Sequence, residues 1–474
     1  MKRFALHMRA FIMIVVLFYI FYHTTPERQE MQMKVIGIVA EYNPFHSGHA
    51  YQIRKAREQF GDDAMILAVM SGQFVQRGEP AIVSKWIRAQ AALRCGADLV
   101  IEIPFTFACS SADRFSHGAI SLLNAAGIVS DLYFGSESDD LSSMSDLADT
   151  LIEENPQFVD NLRDNLQNGQ SYAKSRELAL ASYLAGACKP ELAKACETLL
   201  NMPNSILAIE YLTELKKTGS SIQPSVLLRA GAGYHDDSLH LDFVSATGIR
   251  GCISELRNNV TNTVGTGSFS VSSIAEKLAG KLPSASLSPM LSAWSEGIRP
   301  LFPTDFLPEI LQLLRSRTTQ QLDECAYMGD QVSRRLKNAL ANLRADPDNE
   351  LLASFRGLSD SRRHAGTRIS RALISLLCGQ TGVDLLELTS PEYLRVLGFS
   401  EKGRYLLRLM RKSATLPIID KASDFLEHGQ NTRLKRMAEL DLLSCDLWGL
   451  KAGYAYGDEF ERSVIQIKEK QQKK

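Results

Sequence analysis

Two histidines, His46 and His49, lie three residues apart in the segment His46-Ser47-Gly48-His49. Imidazole rings at this spacing can donate hydrogen bonds to phosphoryl oxygens as negative charge builds on them in a transition state. The same spacing occurs in metal sites, but no third ligand is evident nearby, whereas zinc sites usually include a further Cys, His or Glu. We therefore predict phosphate chemistry at this point and no metal bound by protein side chains.

The segment from Glu41 to His49 connects two predicted elements. An apolar run, Lys34 to Ala40, predicts a buried strand, and a helix is expected to begin near Ala50. Pro44 and Gly48 favour a tight connection, in which the glycine lets a ligand approach the backbone. The first N–H groups of the helix lack partners within the helix and can bind phosphate. The connection is therefore predicted to bind a phosphorylated ligand.

A second candidate phosphate site is Ser245-Ala246-Thr247-Gly248-Ile249-Arg250, which follows a predicted strand from Leu239 to Val244. Its hydroxyl groups and a helix N-terminus can hold phosphate groups, and Arg250 can neutralise their charge. Together with His46 and His49, Arg250 would form a trio of cations. A protein that had lost catalysis would have no physical reason to keep such a trio, so the trio favours an enzyme.

Short apolar runs alternate with amphipathic stretches from Lys34 onwards, which is the pattern of βαβ units. The predicted strands are apolar throughout, as expected when helices cover both faces of a sheet. We predict an α/β fold with a doubly wound, Rossmann-like parallel sheet, whose ligand crevice lies at the carboxyl ends of its strands. The predicted strand and helix pairs are Val35–Ala40 with His49–Phe60, Ala64–Met70 with Ser84–Arg94, Asp98–Ile103 with Asp113–Ala126, and Leu132–Phe134 with Leu141–Glu154.

Helical patterns dominate the remainder of the chain. Residues Asn155 to Leu200 are predicted to be helical, and long helical patterns with few strand candidates follow Arg257. A Gly/Ser/Thr-rich stretch from Thr261 to Ser273 is typical of a linker or an exposed loop. We therefore predict a catalytic domain over residues 33–257 and a mainly helical domain over residues 258–474.

The amino-acid composition excludes few classes of protein. The 474 residues are 45% hydrophobic and 23% charged, which is ordinary for a protein with a sizeable core. The formal net charge is −1, so a nucleic-acid partner would have to meet a local basic surface. The eight cysteines include no C-x-x-C pair and are predicted to be reduced thiols in a cytosol. Cys109 and Cys252 lie near the motifs and are weak candidates for a further role.

The first 32 residues differ from the rest. Phe11 to Tyr22 is an unbroken apolar run that follows three basic residues, as in a signal peptide. The run is shorter than the roughly 20 residues that span a membrane, and no small-x-small cleavage motif follows it. Met31 and Met33 directly precede the first strand. We predict initiation at one of them, a cytoplasmic protein and no stable membrane association.

Both candidate phosphate sites resemble known signatures. His46-Ser47-Gly48-His49 is similar to the His-x-Gly-His signature of the nucleotidyltransferase and class I aminoacyl-tRNA synthetase superfamily, and the segment ending at Arg250 is similar to its second signature. Longer stretches resemble one family, the bacterial tRNA(Met) cytidine acetate ligases, from Lys34 to about Asp420. These stretches are Glu41-Tyr42-Asn43-Pro44-Phe45-His46, Ser71-Gly72-Gln73-Phe74-Val75-Gln76-Arg77-Gly78-Glu79-Pro80, Phe134-Gly135-Ser136-Glu137, Met202-Pro203-Asn204-Ser205-Ile206-Leu207, Arg229-Ala230-Gly231-Ala232-Gly233-Tyr234-His235-Asp236 and Arg395-Val396-Leu397-Gly398-Phe399.

The resemblance implies a set of residues that bind ATP, and it implies that His46, His49 and Arg250 are catalytic. The implied ATP contacts are Val39, Ala40, Glu41, Tyr42, Asn43, Pro44, Phe45, His46, Ser47, Gly48, His49, Ala50, Tyr51, Gln52, Gly135, Asn204 and Arg229. Three of them have structural alternatives. These are that Gly135 only closes a tight turn, that Asn204 caps a helix beginning at Ser205, and that Arg229 is an ordinary surface cation.

The reaction of the resembled family implies the substrates. That family joins acetate to the exocyclic amine of the wobble cytidine of elongator tRNA(Met) and converts ATP to AMP and pyrophosphate. A carboxylate is a poor electrophile and the cytosine amine a poor nucleophile, so acetate must first become a mixed anhydride, acetyl-AMP. We expect Mg²⁺ to accompany ATP. No enzyme nucleophile is required, and no convincing Ser/His/Asp or Cys/His arrangement is present.

Basic residues in the C-terminal half are candidate contacts to tRNA phosphates, with a solvated helix surface as the alternative. They are Arg362, Arg363, Arg368, Arg371, Lys402, Arg404, Arg408, Arg411, Lys412, Arg433, Lys435 and Arg436, of which Arg404, Arg408 and Arg411 would share one helix face. Arg77, Lys85 and Arg88 follow the second predicted strand. They would point into the crevice, or else Lys85 and Arg88, at i,i+3 spacing, would lie on a solvated helix face.

Two other functions are compatible with the motifs. A nucleotidylyltransferase would move AMP onto a small acceptor, although such enzymes are usually short chains without a large second domain. A non-catalytic RNA-binding protein would keep the nucleotide fold as a scaffold. Incubation with ATP, labelled acetate and elongator tRNA(Met) separates the three functions.

Overall fold

A computed structural model of the chain describes residues 34–229, 244–261, 271–343, 366–428 and 430–468. The predicted N-terminal extension, 1–32, lies outside the described residues, and so does the predicted strand Leu239 to Val244 apart from its last residue. In the first part of the chain the elements are β1 (Val35–Ala40), α1 (Ser47–Phe60), β2 (Met65–Ser71), β3 (Phe74–Val75), β4 (Glu79–Pro80), α2 (Lys85–Arg94), β5 (Leu99–Ile103), α3 (Phe105–Ala108), α4 (Ala112–Ala126), β6 (Asp131–Ser136), α5 (Leu141–Glu153), α6 (Pro156–Gln167), α7 (Tyr172–Gly186), α8 (Pro190–Leu199), α9 (Pro203–Lys217) and β7 (Gln223–Leu228).

The later part of the chain is mainly helical and adds three strands. Its elements are α10 (Ala246–Thr261), α11 (Val271–Leu278), α12 (Ser284–Ser295), α13 (Leu307–Ser316), α14 (Thr319–Asp323), α15 (Val332–Asn342), α16 (Gly366–Leu377), α17 (Gly382–Glu387), β8 (Leu394–Phe399), α18 (Glu401–Ser413), β9 (Ile418–Ile419), α19 (Thr432–Ala452), α20 (Asp458–Glu461) and β10 (Ile465–Gln466). Short 3₁₀ turns lie at Pro303–Phe306 and Ala422–His428. The predicted helical character of both 155–200 and the C-terminal half is confirmed.

The central sheet has the strand order β10-β8-β5-β2-β1-β6-β7, with β9 beside β8. Strands β5, β2, β1, β6 and β7 are parallel neighbours, which confirms the predicted parallel sheet. β1 lies between β2 and β6, and the strand order reverses there. Ligands of such sheets bind beyond the carboxyl ends of the strands at this reversal. The segment that follows β1, with its two histidines, therefore begins at the expected ligand site.

Successive side chains of the strands enter two separate cores. Leu67 and Val69 belong to a core shared with Leu123 of α4, whereas Ile66 belongs to a core shared with Ala89 of α2. The two cores lie on opposite sheet faces because neighbouring side chains of a strand point to opposite faces. Burial on both faces explains why the strand sequences are apolar without alternation.

The C-terminal half completes the same sheet. β8 pairs with β5 and is antiparallel to it, and β10 pairs with β8. The predicted boundary at Arg257 lies inside α10, where Arg257 pairs with Asp305 at 2.6 Å. Sequence periodicity misses this arrangement because β8 is a short apolar run among helices, and only pairing shows which sheet it joins.

A third apolar cluster fixes α10 beside the first half of the chain. Ile249 and Ile253 of α10 pack with Ile82, Val83 and Trp294, all buried. Ile82 and Val83 lie between β4 and α2, directly after the β3–β4 hairpin. The second predicted phosphate site is thereby held near the first.

All eight cysteines are free, in agreement with the predicted reduced thiols. Cys109 is buried, and burial raises the pKa of its thiol to about 12, so it is not a reactive thiolate. Cys252 is partly buried in α10. Among the helices of the described residues, none has the length and apolar character needed to cross a membrane.

Candidate active site

The connection after β1 is organised by its own two histidines. α1 begins at Ser47, three residues earlier than predicted, because His46 is the residue that caps the helix. The N–H of Gly48 donates to Nδ1 of His46 at 3.0 Å, and the N–H of His46 donates to Nδ1 of His49 at 3.2 Å. Each Nδ1 is therefore an acceptor. The remaining proton of each neutral ring lies on Nε2, from which it can be donated to a ligand.

These hydrogen bonds correct one prediction about the connection. The N–H group of Gly48 donates to Nδ1 of His46, and the N–H groups of His49 and Ala50 donate to the carbonyl of His46. These three N–H groups are therefore not free for phosphate. A Cβ on Gly48 would stand 2.8 Å from Cε1 of His46. The neighbouring imidazole therefore disfavours a side chain at position 48, and the close approach of a ligand to Gly48 stays a prediction.

The two imidazoles are stacked on each other, with ring centroids 3.8 Å apart. Tyr42 and Phe45, almost fully buried, pack against His49 with centroids at 4.8 and 5.5 Å. Burial, then Arg229 and Arg250, lower the pKa of His46 to about 4, and burial, His46 and Arg229 hold the pKa of His49 well below its usual value. Both rings are neutral at physiological pH. The predicted trio of cations is therefore wrong in part, because only Arg250 carries a charge.

The second predicted phosphate site meets the first through Arg250. The Arg250 guanidinium donates to the carbonyl of Asn43 at 2.8 Å and to Oγ1 of Thr247 at 3.3 Å. The Ser245 hydroxyl accepts from the N–H of Gly248 at 3.1 Å and so caps the start of α10. The structure thus brings together the two motifs that the sequence separates by about two hundred residues.

The ends of β6 and β7 place Gly135, Asn204 and Arg229 together. Gly135 lies within β6 rather than in a turn, and a Cβ there would stand 3.4 Å from Cγ of Arg229. Arg229 is exposed, and its guanidinium lies 3.5 Å from Oδ1 of Asn204. Asn204 does not cap α9. Glu137 does so instead, since it accepts from the N–H groups of Asn204 and Ser205 at 3.1 and 2.9 Å.

Glu137 is a site residue that the sequence did not single out. Burial opposes its charge, but hydrogen bonds from the Asn204 side chain and from backbone N–H groups lower its pKa, so it is ionised. The Asn204 amide donates to Glu137 at 2.6 Å, which leaves Oδ1 of Asn204 directed towards Arg229. Its position within Phe134-Gly135-Ser136-Glu137 was the only sequence signal for this role.

A cavity of about 630 Å³ opens at the carboxyl ends of these strands. Eight of the predicted ATP contacts line it: Val39, Ala40, Glu41, His49, Gln52, Gly135, Asn204 and Arg229. The other members of the predicted set do not line it, and Tyr42, Asn43, Phe45 and His46 are buried; Arg250 does not line it either. Burial raises the pKa of Glu41, which accepts from the N–H of Gln76 at 2.9 Å, while Arg250 and Arg77 oppose that shift.

The cavity wall also contains residues that the sequence did not assign to the nucleotide site. Tyr172, Arg176 and Glu210 line it although no sequence pattern singled them out, and Arg77 lines it in agreement with the prediction that it points into the crevice. Arg368 and Arg371, predicted as tRNA contacts, line the same cavity and not a separate surface. These residues come from segments far apart in the chain, so only the packing of α7 and α16 beside the sheet reveals them.

Lys85 and Arg88 contradict both sequence interpretations, since they lie neither in the cavity nor on a solvated face. Both are 1% exposed. Lys85 pairs with Glu102 and Glu459 at 2.7 and 2.9 Å. The Arg88 guanidinium donates to the carbonyls of Glu41, Ser71 and Gly72, so it fixes the backbone at the ends of β1 and β2. Arg88 thus positions the site without contacting the cavity.

No metal cage is found in the part of the chain that the structure describes, since no group of three His, Cys, Asp or Glu side chains could hold an ion there. Among the predicted tRNA contacts, Lys402, Arg404, Arg408, Arg411 and Lys412 of α18 are exposed, whereas Gly403, Leu406, Leu407 and Met410 are buried. Arg404, Arg408 and Arg411 do share the exposed side. Arg436 pairs with Asp384 at 2.8 Å, and Arg362 and Arg363 lie outside the described residues.

Comparisons with known proteins agree with this geometry. A family model described as HIGH Nucleotidyl Transferase matches residues 33–459. The tRNA(Met) cytidine acetate ligase of Acetivibrio thermocellus is 37% identical over 440 residues, which cover 91% of this chain and 100% of the relative. The corresponding protein of Caldanaerobacter subterraneus is 37% identical over 418 residues, which cover 88% and 95%.

A solved structure is also similar over nearly the whole chain. The crystal structure of Thermotoga maritima TmcAL bound with alpha-thio ATP has a TM-score of 0.79 and 29% identity, and the alignment covers 92% of this chain and 100% of that chain. The family match begins at residue 33, so the predicted N-terminal extension lies outside it. The match continues to residue 459, well beyond Asp420, where the sequence stretches had suggested that the resemblance ends.

Proposed function

The chain belongs to the tRNA(Met) cytidine acetate ligases of the HIGH nucleotidyltransferase family, and on this premise we propose how its cavity acetylates a tRNA base. In the first step an acetate oxygen attacks the α-phosphorus of ATP, which forms acetyl-AMP and releases pyrophosphate. In the second step N4 of the wobble cytidine of elongator tRNA(Met) attacks the acetyl carbon. AMP leaves, and the amine loses one proton as the amide forms.

The stacked histidine pair is the observation that carries this proposal. Both Nδ1 atoms accept backbone hydrogen bonds, so both Nε2–H groups are set to donate without any change of tautomer. Neutral donors held in place before the reaction stabilise charge that develops on the α-phosphoryl oxygens in the transition state. Each such donor contributes on the order of 10²–10³ in rate. We assign this role to His46 and His49.

Arg250 is proposed to neutralise the departing pyrophosphate. Its guanidinium is already held by the Asn43 carbonyl and the Thr247 hydroxyl, at 2.8 and 3.3 Å. The Glu79 carboxylate is its acidic neighbour, at 3.9 Å. Arginine remains charged at all relevant pH values and presents several donors in one plane, which suits phosphate groups.

ATP itself is proposed to bind along the ends of β1, β6 and β7. The residues that would hold it are the eight predicted contacts lining the cavity, among them Gly135, Asn204 and Arg229. The close approach of Arg229 to Gly135 and the Asn204 amide, which is held by Glu137, support a nucleotide contact there. Arg229 contributes a charge that helps to keep His46 neutral.

The described residues do not form a magnesium site of their own. Mg²⁺ commonly binds through substrate phosphates with one or two carboxylates. We propose that it arrives with ATP as the magnesium complex, and no step above depends on it. ATP and tRNA are cytoplasmic, so we also propose that the protein acts in the cytoplasm.

One incubation tests the proposed function. The purified chain is mixed with ATP, labelled acetate and elongator tRNA(Met), and both label in RNA and AMP release are measured. Label in the tRNA that requires ATP supports the ligase. AMP transferred to an acceptor without acetate would support a nucleotidylyltransferase instead, and tRNA binding without ATP turnover would leave an RNA-binding protein.

A further inference from the structure

The cavity extends to both sides of β1, and the proposed ATP contacts lie on the loop after β1, on β1 and α1, and on the β6–β7 side. In the sheet, β6 and β7 lie on one side of β1, and β2 lies on the other. Gly135 and Arg229 belong to the first side. The hairpin of β3 and β4 follows β2 on the second side, and Arg77 at its turn lines the cavity. The second side is therefore available to the other substrate.

Arginine dominates this second side. Arg77 is exposed, Arg368 keeps 31% of its side chain exposed, and Arg371 is half-buried. Among the described residues, Nε of Arg371 is buried without a hydrogen-bond partner. A buried donor without a partner is unfavourable, so the Arg371 guanidinium would gain hydrogen bonds by turning towards an anion in the cavity. Arg176, which also lines the cavity, is already paired with Glu210 and is not available in this way.

The arginines are held in fixed positions relative to one another. The turn residue Gly78 has φ +75°, and a Cβ there would overlap the backbone of Ser370 and Arg371. The hairpin that carries Arg77 therefore packs backbone to backbone against α16, which carries Arg368 and Arg371. Arg368 also donates to the carbonyl of Gly329 at 3.2 Å and makes a partly exposed ion pair with Asp330 at 3.6 Å. These contacts place cations from two distant segments along one wall.

An exposed aromatic residue also lines the cavity. Tyr172, the first residue of α7, is 58% exposed and lines the cavity. Exposed aromatic rings next to arginines are the usual means of holding single-stranded nucleic acid, because bases stack on the ring and phosphates bind the cations. Acetate needs only one small cationic contact. A wall that runs from the exposed Arg77 inwards to Arg371 suits a longer anionic chain.

We propose that Tyr172, Arg77, Arg368 and Arg371 form an RNA rim that grips the anticodon loop while the target cytidine enters the cavity. Tyr172 stacks on a neighbouring unpaired base, and the arginines bind the phosphates that flank the cytidine. Asp113 lies in the same wall, so the contacts are to individual phosphates and not to a uniformly basic surface. This inference rests on the proposed function, because it assumes that the acceptor is the tRNA.

The test measures RNA and ATP binding separately on the full chain. The RNA probe is a fluorescent anticodon stem-loop of elongator tRNA(Met), titrated at several salt concentrations. We expect Tyr172→Ala to weaken RNA binding about five- to a hundredfold, and Tyr172→Phe to retain it because the ring remains. Arg77→Gln and Arg368→Gln should each weaken RNA binding and reduce the slope of log K against log salt by about 1. Affinity for ATP should stay unchanged.

Arg163→Gln is the matched control, because Arg163 is an exposed arginine of α6 that does not line the cavity. Unchanged RNA affinity in the Tyr172→Ala, Arg77→Gln and Arg368→Gln variants would overturn the RNA rim. So would weaker ATP binding with unchanged RNA binding, since the arginines would then belong to the triphosphate. If the wild-type chain binds the stem-loop through these residues but acetylates no tRNA, the proposed function fails and the rim stands. If it acetylates tRNA while the variants bind RNA normally, only the rim fails.

Discussion

Two groups of charged and polar side chains, one buried beside β5 and one lining the cavity, use similar residues in opposite ways. In the buried group, Lys85, Glu102, Arg395 and Glu459 are at most 6% exposed and pair with one another. Beside the cavity, the Nε2–H groups of His46 and His49 have no protein acceptor among the described residues. Charged side chains that are paired within the protein indicate a structural role, whereas hydrogen-bond donors without a protein acceptor indicate a ligand-binding role.

The buried group also explains how the two halves of the chain cooperate. Lys85 and Glu102 come from the first half, whereas Arg395 and Glu459 come from β8 and α20. The Trp86 indole donates to Glu459 at 3.2 Å. Arg88, one turn after Lys85, holds the Glu41 carbonyl at 2.7 Å. The buried ion pairs thus hold α2 in place, and Arg88 of α2 in turn holds the start of the Glu41–His49 loop.

The largest expected effect comes from breaking the buried group. Lys85→Met should lower the free energy of unfolding by about 3–5 kcal/mol, because Glu102 would remain buried without its partner. Lys55→Met is the control, since Lys55 makes an exposed pair with Glu58. Urea unfolding of both variants measures the difference. Equal losses would mean that the buried network is not a structural support.

The next effect concerns the open donors of the cavity. His46→Ala or His49→Ala should abolish measurable acetylation, with a loss on the order of 10²–10³ for each donor removed, while the affinity for tRNA remains. His49→Gln places an amide donor near the position of Nε2 and should recover part of the activity. His49→Asn instead mimics Nδ1 and should not.

The measurement for the histidine variants is acetate-dependent release of pyrophosphate, with thermal unfolding as the check on folding. Acetylation by a folded His46→Ala or His49→Ala variant at the wild-type rate would exclude the donor role. Recovery by His49→Asn and not by His49→Gln would show that the imidazole acts only by capping α1.

A smaller effect is expected from the exposed side of α18. Replacing Arg404, Arg408 and Arg411 together with Gln should weaken tRNA binding and lower the salt slope by at most about 0.9 for each phosphate that is no longer neutralised. The control is a triple replacement of Arg163, Lys189 and Lys194, exposed residues of the α6–α8 region. If both triples bind alike at each salt concentration, α18 does not contact the tRNA.

The smallest expected effect is that of pH on the rate of acetyl-AMP formation, which should stay constant. The pKa of His46 is lowered to about 4 and that of His49 lies well below its usual value, so both rings remain neutral as the pH falls from 8 to 6. An imidazolium acting in the site would instead make acetyl-AMP formation fall as the pH rises through about 6.5. The rate of acetyl-AMP formation, measured from pH 8 to pH 6, distinguishes neutral imidazoles from an imidazolium.

The same shift predicts how stability changes in acid. Between about pH 6.5 and about pH 4 the unfolded chain binds a proton at His46 that the folded chain does not. Stability therefore falls as the pH is lowered through this window. His46→Gln should show a shallower fall than the wild type in thermal unfolding, and an equal fall would mean that His46 is protonated in the folded protein.

Much of the fold and part of the site follow from local sequence. The apolar strands, the helices of 155–200 and the βαβ order are visible because each depends on neighbouring residues, and β1 with its two histidines is found where expected. The start of α1 is missed by three residues because His46, an uncommon cap, begins the helix. Lys85 and Arg88 are misassigned because helical spacing cannot show whether a charged face is buried against a partner.

The sequence by itself determined the two phosphate motifs, the parallel sheet and the family, since each depends on residue types at short and fixed spacings. Only the tertiary structure decided that Arg250 reaches the Asn43 carbonyl, that the histidines are neutral, and that Arg77 and Arg371 share one cavity wall. The physical reason is that burial and long-range pairing set the charge and the free donors of a side chain, and neither can be read from its neighbours in sequence.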